Sequence, residues 1–220
     1  MSKKTVLTLA IAAALAVPAV ASAQLSIGAR AGTLGIGGEV SFGLTSSLAV
    51  RGGISVVAVD IDATWDDVDY KVEPPDRMWN IGVDFYPGGG GFRIGAGLLN
   101  RPKWTMSATQ TGSQQIGDRT YTGTVTINGE LENERETAPY AMIGFGKATG
   151  KGLGFFVDLG AAFMGDPTIT LTGTCTGDAQ CPTTFQSDLQ KEADNAEDKA
   201  GSYIKVHPII QIGIRLGLGS

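Results

Sequence analysis

The 220-residue sequence predicts an all-β fold, a single eight-stranded antiparallel up-and-down β-barrel that spans a membrane. Apolar residues alternate with polar or small ones over long stretches, which is the period of a β-strand. Short and long polar breaks also alternate, as when one end of a barrel carries tight turns and the other carries loops. After residue 23 no apolar stretch is long enough for a membrane helix, so a spanning chain has to close its sheet.

The first 23 residues predict a cleaved export signal, which leaves residues 24–220 as one barrel domain. Lys3 and Lys4 form a charged start, residues 6–17 form an apolar run, and Ala21-Ser22-Ala23 provides the small residues of a cleavage site. The apolar run is too short to cross ~30 Å of hydrocarbon, which argues against a membrane-anchoring helix.

Eight strand cores are predicted, at 25–32, 35–44, 48–59, 77–86, 91–106, 138–147, 153–164 and 201–218. Tight turns are predicted at 45–47, 87–91 and 148–152, with one further short break at 33–34. The long polar segments at 63–76, 109–137 and 173–200 are predicted to be loops at the other end. An even number of strands places both ends of the domain on the tight-turn side.

Glycine and charged residues share the polar face of these strands, which assigns that face to the interior. Small side chains suit the narrow lumen of an eight-stranded barrel, whereas a solvent-facing side would carry Lys, Glu and Thr. Turning a strand over would place a charge such as Arg51 against lipid, at ~2–4 kcal/mol for an arginine at midplane. The predicted lumen charges are Arg30, Glu39, Arg51, Asp84, Arg93, Asp158, Lys205 and Arg215.

Two pairs of these charges flank tight turns and are predicted to meet, Asp84 with Arg93 and Glu39 with Arg51. Charges in so narrow a space need counter-ions. They form either the polar lining of a pore or a salt-bridged plug that closes the lumen, and the plug is the favoured interpretation.

Aromatic residues on the apolar face predict the girdles that mark the two membrane interfaces. The girdle near the short turns is predicted from Phe42, Phe85, Phe92, Phe145 and Phe155, and the opposite one from Trp79, Trp104 and Phe163. A secreted lipocalin or β-sandwich would alternate as well. The rings and the glycine-rich face together favour the membrane barrel.

In strand number, signal, girdles and alternating turns, residues 24–220 resemble the small outer-membrane barrels of the OmpA and OmpW type. The resemblance implies an outer-membrane location among lipid and lipopolysaccharide and assembly by the outer-membrane insertion machinery. For OmpW-like members it also implies passage of small apolar molecules. One departure is the final strand, which ends Leu218-Gly219-Ser220 instead of on an aromatic residue.

No catalytic, metal or cofactor site is predicted. His207 is the only histidine, and no nucleophile motif accompanies it, so a packed lumen histidine is favoured over a catalytic base. The aspartates at 60, 62, 66, 67 and 69 lack the spacing of a calcium loop and predict a solvated acidic loop. A net charge of −5 without a basic stripe argues against nucleic acid as a partner.

The last long polar segment has features of its own. Cys175 and Cys181 are predicted to form a disulfide, since they lie close together in an exported chain. Beyond them, Ser187 and Gln190 fit a capping box, and Leu189, Ala193 and Ala196 form a thin apolar stripe. A short, polar surface helix is therefore predicted there.

The leading hypothesis for function is a non-enzymatic outer-membrane barrel that is structural or passes small solutes. The alternative is an adhesin or docking protein that works through its extracellular loops. A membrane-embedded lipid-modifying enzyme is a remote third hypothesis. The oligomeric state is open.

Overall fold

A computed structural model describes residues 24–57, 61–65, 68–147, 151–176, 182 and 184–218. The predicted export signal lies outside these residues. No helix within the described ranges is both long and apolar enough to cross a membrane. In chain order the elements are β1 (Gln24–Gly32), β2 (Gly35–Gly43), β3 (Leu48–Val56), β4 (Ile61–Trp65), β5 (Val68–Glu73), β6 (Met78–Phe85), β7 (Phe92–Asn100), β8 (Trp104–Ile116), β9 (Arg119–Asn133), β10 (Thr137–Phe145), β11 (Lys151–Phe163), β12 (Pro167–Thr176), α1 (Phe185–Ile204) and β13 (Val206–Leu218).

Eight of these strands form a closed antiparallel barrel in the order β1-β13-β11-β10-β7-β6-β3-β2. The last strand returns to pair with the first, so that Ser26 lies opposite Gly217 and Gly32 opposite Gln211. The predicted eight-stranded antiparallel barrel is confirmed. Closure leaves no barrel strand with an unpaired edge, which is the condition for a sheet to lie in a membrane.

Turn chemistry sets the tight connections on one end of the barrel. A 3-10 turn at Pro87–Gly89 joins β6 to β7, and Gly88 and Gly89 have φ angles of 70° and 67°, which favour glycine. Leu44 to Ser47 connects β2 to β3, with Leu44 N–H donating to the Leu48 carbonyl. Of the third predicted turn, residues 148–150 lie outside the described part of the chain.

Apolar side chains cover the outside of the barrel. In β6 and β10 buried and exposed residues alternate without exception. The exposed positions of the barrel strands are mostly large hydrophobic residues, among them Ile81, Ile94, Ile143, Leu159 and Ile212. Soluble monomers rarely expose contiguous apolar area on this scale, and larger exposed patches mark protein or membrane contacts.

Two predicted strand boundaries are wrong. The predicted strand at 91–106 is interrupted at 101–103, because Pro102 has no N–H to donate to a ladder. Its first part is the barrel strand β7 and its second part begins β8 outside the barrel. The last predicted strand, 201–218, begins only at Val206, since residues 201–204 end α1.

The long polar segments are not loops, which corrects the prediction. They contain a second sheet in the order β12-β9-β8-β5-β4 together with α1, and we call this unit the headpiece. Three barrel connections therefore fold together at one end. These strands were mistaken for loops because threonine and other polar residues fill one face, although threonine is a good strand former.

Helix α1 packs on one face of the headpiece sheet. Phe185 and Leu189 form a buried cluster with Ile116, Tyr121 and Val125. The predicted stripe is the inward face of the helix, since Leu189 and Ala193 are fully buried. The predicted capping box is wrong, because the helix already begins at Phe185 and the Ser187 hydroxyl donates to the Thr184 carbonyl at 2.7 Å.

The other side of the headpiece sheet, which we call the hydroxyl face, carries rows of threonine across three strands. Direct hydroxyl contacts join Thr109 to Thr126 at 3.2 Å and Thr111 to Thr124 at 3.0 Å. The residues of this face are Thr109, Thr111, Ser113, Thr122, Thr124, Thr126, Thr170, Thr172, Thr174 and Thr176.

Neighbouring glycines on β2 test the difference between the faces. At Gly37 an added Cβ would collide with the Ile54 carbonyl and lie 2.6 Å from Ser55 Cα, whereas at Gly38 its nearest neighbour is 3.6 Å away. We expect Gly37→Ala to lower the free energy of unfolding by ~1–3 kcal/mol through overpacking. Gly38→Ala, the matched control, should be neutral or slightly stabilising. Urea unfolding in detergent measures both, and equal effects would contradict the assignment of faces.

Candidate functional site: the lumen of the barrel

Among the described residues, seven charged side chains point into the barrel, one from each barrel strand except β10. All seven are at most 4% exposed. They are Arg30 on β1, Glu39 on β2, Arg51 on β3, Asp84 on β6, Arg93 on β7, Asp158 on β11 and Arg215 on β13. Because every second residue of a strand points inward, the alternation of polar and apolar residues in the sequence already predicts that these seven side chains face the lumen.

Arg51 is the centre of this network. Its Nη1 lies 2.7 Å from Asp158 Oδ2 and 3.7 Å from Glu39 Oε2, and its Nη2 lies 3.3 Å from Asp84 Oδ1. Nη2 also contacts the sulfur of Met142 at 2.9 Å. One guanidinium thus neutralises carboxylates from three other strands, which is possible because its planar fork presents five donors.

Asp158 shares its two oxygens between two arginines. Besides Arg51, it binds Arg93, whose Nη2 lies 2.5 Å from Asp158 Oδ1. Arg93 also donates to the Gly146 carbonyl at 2.9 Å. At the other side of the network Arg215 Nη2 lies 2.6 Å from Glu39 Oε1.

The two pairs predicted across hairpins are looser than these contacts. Arg93 Nε lies 3.9 Å from Asp84 Oδ2, and Arg51 lies 3.7 Å from Glu39. The long arginine side chains extend across the lumen instead of along the wall. The shortest partners therefore come from strands that are distant in sequence, such as β3 and β11.

A phenylalanine lies inside the lumen, and the sequence pattern did not predict it there. Phe156 is 2% exposed, and the guanidinium carbons of Arg215 and Arg93 lie 4.7 and 5.4 Å from its ring centre. Both distances fit cation–π contacts. Phe156 precedes the inward Asp158 by two residues on β11, and residues two apart on a strand lie on the same face, so this spacing could have predicted its position.

Inward glycines provide the space for these side chains. An added Cβ at Gly95 would lie 2.6 Å from Asp84 Oδ1, and at Gly144 and Gly213 it would collide with Asp158 and Phe156. The glycines of the polar face therefore make room for large side chains on the adjacent, directly paired strand, since Asp84 lies opposite Gly95, Asp158 opposite Gly144 and Phe156 opposite Gly213. The polar face does not line an open channel.

Next to the headpiece, an apolar cluster closes the lumen. Its members are Leu34, Met78, Leu99, Ala138, Tyr140, Met142, Ala162, Met164 and Ile209, all buried. Between this apolar plug and the charge network lies a small cavity, with room for about one water molecule. Several of these residues lie at the ends of strands, where the alternation of polar and apolar residues is too short to predict a buried apolar cluster.

Two predicted site residues lie elsewhere. Lys205 is half-exposed and binds Asp166, with Nζ 2.5 Å from Oδ1. It does not point into the lumen because it precedes β13, which begins at Val206. Trp104 is on β8 of the headpiece, where the Arg101 guanidinium lies 5.9 Å from its ring centre. Neither residue belongs to the lumen or to the outer face of the barrel.

The other predicted girdle residues lie on barrel strands. Phe42 is half-buried, and the rings of Phe92 and Phe145 lie 5.4 Å apart near the tight turns. The remaining members, all exposed, are Phe85, Phe155, Trp79 and Phe163.

The remaining candidates are only partly described. His207 lies opposite Ala162 at the start of β13. Cys175 is on β12, but Cys181 lies outside the described residues, so the disulfide stays a prediction. Of the acidic cluster, Asp62 and Asp69 lie on β4 and β5, and the other three aspartates are outside the described ranges.

Comparison with known proteins supports the fold. No protein-family profile and no curated protein matches the sequence. Among solved structures, Acinetobacter baumannii CarO aligns with a TM-score of 0.59 and 20% identity over 87% of this chain and 96% of that one. CarO2 of the same organism aligns with a TM-score of 0.61 and 21% identity over 89% and 99%. A major outer membrane protein of Thermus thermophilus aligns with a TM-score of 0.42 and 14% identity over 89% and 99%, too loosely to establish a shared fold.

The closed eight-stranded barrel and these alignments define the class: the chain has the fold of a small outer-membrane β-barrel. Within that class it is similar to CarO in fold, at an identity that shows the fold alone.

Asp158 should be the most sensitive carboxylate of the lumen. Asp158→Asn keeps the shape but leaves Arg51 and Arg93 without their closest counter-ion, and we expect a loss of ~3–5 kcal/mol in the free energy of unfolding. In a double-mutant cycle with Arg93→Gln the coupling should exceed about 1 kcal/mol. The cycle of Asp84→Asn with Arg93→Gln, whose atoms are 3.9 Å apart, is the matched control and should show less. Equal coupling in both cycles, measured by urea unfolding, would contradict this geometry.

Proposed function

We propose that this protein is a non-enzymatic outer-membrane barrel with a closed lumen, and that it anchors the headpiece at the cell surface. The observation that carries the proposal is the filled interior. The charge network occupies the middle of the barrel, the apolar plug occupies one end, and the cavity between them holds about one water.

The outer face supports the membrane location. A continuous belt of exposed Ile, Leu, Val and Phe surrounds the barrel, and its arginines and carboxylates point inward. Lipid makes such a belt favourable, whereas water would penalise it at roughly 25 cal/mol per Å² of apolar surface. The export signal predicted in residues 1–23 fits this location. Lipid, lipopolysaccharide and the outer-membrane insertion machinery are the partners that the proposal requires.

The filled lumen argues against passage of solutes, which was the other half of the leading hypothesis. Open aqueous channels occur in barrels of about 16 strands, whereas eight strands leave an interior that side chains can fill. Here Arg93, Asp84 and Asp158 are at most 2% exposed. An apolar solute would have to displace the buried Met78, Leu99 and Met164 of the plug.

The headpiece is then the part that is available to the outside. It is built from the three long connections of the barrel and stands at the end opposite the tight turns. One face of its sheet is covered by α1, and the hydroxyl face is largely exposed. This favours the hypothesis of action through extracellular segments, with the barrel as anchor.

Single-channel recording in planar bilayers tests the closed lumen. We expect no stepwise conductance from the reconstituted protein, because buried side chains of the described residues fill the lumen. A porin of about 16 strands, inserted in the same bilayer, is the control for insertion and detection. Reproducible unit steps from this protein would overturn the closed-barrel proposal.

Cysteine labelling tests the orientation. In a background with Cys175→Ser and Cys181→Ser, a cysteine at Ser113 on the headpiece should react with an impermeant maleimide on intact cells. Cysteines at Ser46 and Gly89, in the tight turns, should react only after the outer membrane is permeabilised. Labelling of the turn positions on intact cells at the rate of Ser113→Cys would mean that the headpiece faces the periplasm.

A further inference from the structure

The lumen contains one more guanidinium than carboxylates among the described residues. Arg30, Arg51, Arg93 and Arg215 face Glu39, Asp84 and Asp158. An arginine cannot lose its proton in a protein, so the excess positive charge cannot be removed by titration. A buried charge without a counter-ion is strongly unfavourable.

The excess charge is located at Arg30. The other three arginines each have a carboxylate oxygen within 2.7 Å. Arg30 instead donates through Nε to the Ser55 hydroxyl at 3.1 Å, and its Nη2 has no hydrogen-bond partner among the described residues. It is only 4% exposed, so bulk water does not take the place of a counter-ion.

The small cavity under the apolar plug is lined by further polar side chains around this charge. Arg30, Tyr140, Gln211 and Asn80 line it together with Arg51. The Tyr140 hydroxyl and the Gln211 amide nitrogen, like Arg30 Nη2, are buried and without partners in the described structure. Two acceptor oxygens of the lining, Gln211 Oε1 and Asn80 Oδ1, are also buried without partners there, but neither carries the negative charge that Arg30 lacks. Asp158 also lines the cavity, but its two oxygens are bound by Arg51 and Arg93.

Three glycines hold this space open. An added Cβ at Gly53 would lie 2.6 Å from Arg30 Nη1, one at Gly32 would lie 2.9 Å from Gln211 Nε2, and one at Gly82 would collide with the Tyr140 hydroxyl. The polar groups of Arg30, Gln211 and Tyr140 thus each lie against a residue without a side chain. Larger residues at these positions would push the heads into the cavity.

We propose that the lumen binds one small monovalent anion, a halide such as chloride, between Arg30, Tyr140 and Gln211. The ion supplies the missing negative charge and accepts hydrogen bonds from the unpartnered donors. The cavity selects by size, because its room for about one water suits a halide and excludes sulfate or an organic carboxylate. The site does not depend on the anchoring role proposed above.

An anion that binds only the folded barrel stabilises it by mass action. For the wild-type protein in detergent, we expect the melting midpoint in 300 mM sodium chloride to exceed that in 300 mM sodium gluconate by at least about 2 °C. Equal ionic strength removes general screening from the comparison.

Crystals grown in sodium bromide should show one anomalous peak beside Arg30 inside the barrel.

Variants separate the site from a general salt effect. Arg30→Gln should abolish the difference between chloride and gluconate, and Tyr140→Phe, which removes a single donor, should reduce it. Arg119→Gln, the same change at a half-exposed arginine of the headpiece, is the matched control and should leave it unchanged. If Arg30→Gln does not fold, Tyr140→Phe and the wild-type bromide peak still decide. Equal wild-type midpoints in the two salts and no bromide peak would overturn the proposal.

Discussion

Neutralisation of buried charge across a narrow cylinder is the constraint on which the barrel depends. Asp158 on β11 binds Arg51 on β3 and Arg93 on β7, and these strands are not neighbours in the sheet. Their side chains meet only after the sheet has closed. The network therefore stabilises the closed cylinder as a whole, and a shift in the register of any one strand would leave charges without partners or turn them to lipid.

The same network decides what the barrel can do. Several of the large inward groups are accommodated by a glycine on the adjacent strand, as Asp84 is by Gly95 and Asp158 by Gly144, so the interior is packed instead of open. Phe156 between Arg93 and Arg215 adds an aromatic partner for two cations that each also bind a carboxylate. A lumen filled in this way leaves the headpiece as the part of the molecule that faces other molecules. Among the described lumen cations, it leaves Arg30 as the one that still lacks a charge partner.

Much of the barrel could be predicted because its strands have an apolar outer face and a polar inner face, a pattern visible within about ten residues. The headpiece could not, because its threonine-rich strands resemble polar loops in composition, and their apolar positions, such as Val125 and Ile127, are few. Lys205 and Trp104 were misplaced for a local reason. Lys205 follows the end of α1, and Trp104 follows Pro102. At both places the alternation of residue types continues in the sequence, but the barrel strand does not.

The sequence by itself determined the number of barrel strands, which face meets lipid and, with the exception of Lys205, which charges point inward, because these depend on alternation between near neighbours. Only the tertiary structure decided that Arg51 binds Asp158 more closely than Glu39, that the plug closes one end, and that Arg30 lacks a carboxylate partner among the described residues. These contacts join residues up to more than a hundred positions apart. Their distances follow from the closure and stagger of the sheet, which no local pattern in the sequence encodes.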